Sequence, residues 1–122
     1  MNKYIIVFLL MISNSYSQKF DFKEVIMKGT FLKVKGNVDI KENIIEIITG
    51  GIPKSYKVEL ISNEENKKVY KEVVDKESDV QIRFTLVEDP GKQGQYILIY
   101  DRKDNFTNTI INGNYFLMPH KD

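Results

Sequence analysis

The chain has 122 residues, with 18 Lys and Arg against 17 Asp and Glu, a single His, and neither Cys nor Trp. A balance this even lacks the basic footprint of a nucleic-acid binder. The absence of Cys excludes disulfides, a thiolate nucleophile and a lipid-carrying cysteine after an export signal.

The first stretch in chain order is MNKYIIVFLLMISNSYSQKF. Lys3 precedes an unbroken apolar run from Tyr4 to Ile12, and Ser15 and Ser17 then occupy the −3 and −1 places of the bond before Gln18. A positive start, an apolar middle and a small-residue exit are the parts of a cleavable export signal. As a helix, nine residues rise about 14 Å, roughly half of the ~30 Å hydrocarbon core, so a permanent anchor is not expected. The Ser-x-Ser-Gln exit resembles export signals of Gram-negative bacterial proteins. Residues 1–17 are therefore expected to leave, and 18–122 to form one secreted or periplasmic domain of 105 residues. Losing Lys3 brings the cations to 17, equal to the anions. A chain this long buries about 60–70% of its unfolded surface and needs no covalent staples.

Beyond residue 18 the dominant period is two. DFKEVIMKG at 21–29 reads as a short helix closed by Gly29 or as the start of a long first strand, and the strand is preferred. In LKVKGNVDI, Leu32, Val34, Val38 and Ile40 alternate with charged residues, giving a half-buried strand broken near Gly36. Residues 41–43 form a turn and IIEIIT (44–49) a strand, which Gly50, Gly51 and Pro53 end. SYKVELIS resumes the alternation and NEEN (63–66) interrupts it. In 63–76, Val69, Tyr70, Val73 and Val74 have a helical spacing, but the Val content favours the second strand of a hairpin. VQIRFTLVE (80–88) is the clearest strand, DPGKQG (89–94) a loop, and QYILIYD (95–101) the return. Asn112-Gly113, between FTNTII and NYFLM, has the composition of a type I′ hairpin turn.

The sum is an all-β domain: an antiparallel meander of about eight or nine strands. A meander this long must close as an up-and-down barrel or fold over as a two-layer sandwich to hide its edges. The run GTFLKVKGNVDIKENIIEI followed by successive hairpins resembles the small lipocalin-like barrels, although Gly29-Thr30-Phe31 stands where their Gly-x-Trp opening carries Trp. The resemblance implies a barrel.

Catalytic chemistry finds few groups. Ser55, Ser62 and Ser78 sit in no Gly-x-Ser-x-Gly elbow, and His120 lies two residues from the end. Asp75, Glu77 and Asp79 have calcium-loop spacing, but Val80 and Leu86 stand where Gly and a bidentate Glu are needed. Asp101, Asp104 and Asn105 make a weaker oxygen cluster, best read as a hairpin end. The Gly91-Lys92 pair lacks the remainder of a phosphate loop. These readings point away from an enzyme, a metal or a cofactor.

Aromatic residues are the remaining candidates. Phe84, Tyr96, Tyr100, Phe106, Tyr115 and Phe116 crowd the C-terminal half, either as cross-strand core partners or as the lining of a site for an apolar or sugar ligand. Two functions follow. In the first, a non-enzymatic barrel holds a small ligand in an aromatic pocket of several hundred Å³. In the second, a β-module works by protein contact, as an inhibitor, immunity-type partner or surface accessory, and carries an exposed apolar patch or a free edge.

Overall fold

A computed structural model describes residues 18–74 and 76–120. The expected export signal and Asp75 lie outside these residues. Eight strands follow one another: β1 (Gln18–Met27), β2 (Thr30–Ile40), β3 (Ile44–Thr49), β4 (Ile52–Glu64), β5 (Lys67–Glu72), β6 (Val80–Glu88), β7 (Tyr96–Asp104) and β8 (Thr109–Pro119). Each pairs antiparallel with its neighbour in sequence, and β8 pairs with β1, closing the barrel. Closure removes the outer edges that a sandwich would have to protect, and one-sided pairing is confined to overhanging strand ends such as residues 30–34 of β2 and 52–56 of β4.

The two ambiguous stretches are strands. Residues 21–27 belong to β1 and 67–72 to β5, because each lies between two neighbours that satisfy its backbone groups. Two-residue turns join the strands where positive φ is available: Lys28 and Gly29 at 53° and 78°, Gly50 and Gly51 at 57° and 84°.

Three local expectations need correction. Asn112-Gly113 is not a turn but lies within β8, where Gly113 pairs with both Met27 and Tyr100. The flexible end of Met27 packs over the glycine: a Cβ on it would lie 2.6 Å from Met27 Cε and 2.7 Å from Sδ. The β7–β8 hairpin turns earlier, through Asn105–Asn108, with Asn108 at φ 57°. Gly36 does not break its strand, since β2 runs unbroken through it opposite Phe22 and Thr49. Pro53 does not end a strand either. It lies in β4 opposite Ile48.

Inward positions are apolar, and every buried residue of the core is hydrophobic. Phe22, Phe84, Ile45, Leu98, Leu117 and Val38 are sealed from solvent. Outward positions carry Lys57, Glu59, Lys71, Arg83 and Lys103, all exposed. This alternation is the reverse of a membrane-spanning barrel, which turns its apolar side chains to lipid. Eight strands enclose a space that side chains can fill, and here they do.

Candidate functional site

The packed interior decides where a ligand can go. Tyr56 and Phe84 rings meet edge to face at 5.0 Å, Phe84 and Tyr100 lie 5.5 Å apart, and Phe22 meets Tyr115 at 5.2 Å. These rings occupy the volume that the expected enclosed pocket would have needed. Open clefts lie at the two mouths and on the outer wall.

The six aromatic candidates do not converge. Phe84 is sealed in the core, and Tyr100 lies against it with only its edge near solvent. Tyr96 stands at the opposite mouth, packed on Phe20 at 5.4 Å, beside a small cleft of about 130 Å³. Phe106 is 84% exposed at the tip of the β7–β8 hairpin. Phe116 pairs with Ile97 on the outer wall. Of the six, only Tyr115 lines the cleft beside the β3–β4 hairpin, where it is joined by Tyr56. Strand alternation explains the scatter: residues adjacent in sequence point to opposite sides of the wall, and residues at opposite strand ends reach opposite mouths.

That cleft, of about 280 Å³, opens at the mouth next to the β3–β4 hairpin. Ile47, Ile52 and Pro53 form its apolar side, and Tyr56 and Tyr115 present their rings. Lys54 is the charged residue of the lining, its Nζ 5.7 Å from the centre of the Tyr56 ring. Tyr56 was legible in the sequence only as an inward residue of its strand. Its place opposite Tyr115 comes from barrel closure, which brings β4 and β8 to one mouth.

Burial sets the protonation of these phenols. It pushes the Tyr115 hydroxyl up to about 12, with Tyr56 and Tyr100 adding to the rise. Burial also raises Tyr56, helped by the negative charge of Glu72. The same cause raises Tyr100, with Tyr56 and Glu72 adding and Lys54 and Arg102 opposing. The three remain protonated donors throughout the neutral range. Among the described residues no hydrogen bond is made to the Tyr56 or Tyr115 phenol oxygens, and neither oxygen is sealed from solvent.

The same end carries a second feature. In an up-and-down barrel the β1–β2, β3–β4, β5–β6 and β7–β8 connections share one end. Of the nine large apolar residues left exposed among the described ones, seven lie in or beside these connections. Phe31 and Leu32 follow the first, Ile52 closes the second, Val73 and Val74 open the third, and Phe106 and Ile110 belong to the fourth. The other two, Leu60 and Ile61, sit at the β4 bulge. The opposite end, with the 41–43, 65–66 and 89–95 connections, carries none of the nine.

The oxygen-rich stretches have structural uses. Asp104 Oδ1 accepts the backbone N–H groups of Phe106 at 3.0 Å and Thr107 at 3.2 Å, which holds its carboxyl below the usual range. Asp89 Oδ1 accepts the Gly91 N–H at 2.9 Å. His120 Nδ1 lies 2.8 Å from Asp21 Oδ1, fastening the C-terminal end to β1. Among the described residues no three His, Asp or Glu side chains gather to hold a metal.

No family model matches this chain, and comparison with curated proteins and with solved structures returns no match.

Proposed function

We propose that this protein is a non-enzymatic binding module of the periplasm or the extracellular space, acting by protein contact through the hairpin end of its barrel. The observation that carries this reading is the one-sided distribution of exposed apolar side chains. Phe106 at 84%, Ile52 at 74% and Ile110 at 64% exposed are costly to leave in water without a use, and they share one end. The filled interior weighs against a ligand held inside the barrel. The closed sheet leaves only short overhangs for strand addition, residues 30–34 of β2 and 52–56 of β4, which favours a contact made by side chains around the hairpin tips. The scarcity of positioned acid, base and nucleophile groups supports a binding role over catalysis. The extracytoplasmic placement rests on the Lys3-to-Ser17 pattern.

The test compares proteins captured from the exported fraction of the native source by the protein and by a Phe106→Ser/Ile110→Ser variant. A partner retained by the first and lost by the second is expected. Equal capture by both would place the contact elsewhere on the barrel.

A further inference from the structure

The cleft at Tyr56 and Tyr115 has a chemistry that the surrounding apolar rim does not share. Its side formed by Ile47, Ile52 and Pro53 offers apolar surface, whereas Lys54 and two phenol hydroxyls offer donors. Among the described residues Lys54 makes no salt bridge. Glu72 acts on Tyr56 from outside the cleft, and Lys54 is the charged side chain that lines the cleft itself. A cation free of a carboxylate, set over an aromatic face beside protonated phenols, complements an oxyanion. The apolar side complements a hydrocarbon body. At about 30 Å³ for each water-sized unit, 280 Å³ admits roughly nine non-hydrogen atoms.

We propose that this cleft is a binding site for a small amphipathic anion, with its apolar body against Ile47, Ile52 and Pro53 and its oxyanion held by Lys54 Nζ and the phenol hydroxyls of Tyr56 and Tyr115. The site is preorganised. Tyr115 is braced by Phe22 at 5.2 Å and Tyr56 by Phe84 at 5.0 Å, and the β3–β4 turn at Gly50-Gly51 fixes Ile52 beside them. Bracing of this kind lowers the ordering cost of binding. The inference goes beyond the protein-contact reading; Ile52 belongs to both surfaces, but Lys54, Tyr56 and Tyr115 line the cleft and Phe106 and Ile110 do not, so failure of one is distinguishable from failure of the other.

The experiment is an amide NMR titration of the isotope-labelled protein with octanoate. Octanol serves as the neutral body and acetate as the bodiless anion. Saturable shifts are expected for Lys54, Tyr56 and Tyr115 with octanoate, about tenfold weaker binding for octanol, and no saturation with acetate. Lys54→Met is expected to weaken octanoate about tenfold and leave octanol unchanged. Ile52→Ser is expected to weaken both. Equal affinity for octanoate and octanol would overturn the proposal, as would undiminished octanoate binding by Lys54→Met. Shifts of equal size at Phe31 and Phe106 would mark general adsorption to the apolar rim and overturn it too. All variants are compared at matched thermal stability, and Lys54 and Ile52 are exposed enough that their replacement leaves the core intact.

Discussion

The ring of Phe22 on β1 lies across Gly36 on β2, its register partner, and fills the space that a side chain there would take. A Cβ at position 36 would meet Phe22 Cζ and also the carbonyl oxygen of Ile48 on the backbone of β3. Gly36→Ala is therefore expected to destabilise by about 2–3 kcal/mol, at the upper end of overpacking costs. Adding Phe22→Leu should not restore stability, because the Ile48 carbonyl belongs to the barrel wall and cannot move aside. Denaturant unfolding of the single and double variants checks this, and full recovery in the double variant would contradict it.

Phe84 touches both Tyr56 and Tyr100 and is sealed from solvent. Phe84→Ala should cost about 3–5 kcal/mol, against under about 0.5 kcal/mol for the exposed Phe106→Ala. Thermal melts of the two variants distinguish a core ring from a surface ring although the sequence presents both as hairpin aromatics.

Alkali should loosen the mouth. Tyr115 ionises near 10.0 when unfolded and at about 12 when folded. The folded state therefore holds the proton more tightly, so this contribution to stability is complete below pH 10 and is lost as pH rises toward 12. Tyr115→Phe should lessen the fall in stability across this window. Unfolding midpoints followed against pH, alongside tyrosinate absorbance, provide the measurement.

The hairpin that presents Phe106 depends on Asp104, whose Oδ1 accepts two backbone N–H groups. Asn105 N–H also donates to Asp79 O at 2.8 Å, tying this tip to the β5–β6 connection. Asp104→Ala should speed hydrogen exchange at the amides of Phe106 and Thr107 and leave those of Leu98 and Leu117 protected. Since the Asp104 carboxyl is held below its usual range, the same loosening is expected in wild type as pH falls through the acid region.

The period-two alternation located most strands, because an inward face must be apolar wherever a sheet covers a core. Asn112-Gly113 misled for a physical reason. A glycine that tolerates positive φ and a glycine that makes room for Met27 look alike until the neighbouring strand is in place. Turns such as Gly50-Gly51 and 89–94 were legible, but two positions hid their signal: Lys28 takes φ 53° and Asn108 φ 57°, conformations that a Lys above all does not advertise.

By itself, the sequence determined the all-β class, most of the inward residues (Leu32 and Leu60 are exposed instead) and the poverty of catalytic groups, since these depend on local pattern and residue chemistry. Only the tertiary structure decided that the wall closes, that the aromatics fill the interior, and that seven exposed apolar residues share one end. It alone set Tyr56 and its neighbour Lys54 beside Tyr115. Those relationships depend on register and closure between strands distant in the chain, and no stretch of local sequence carries that information.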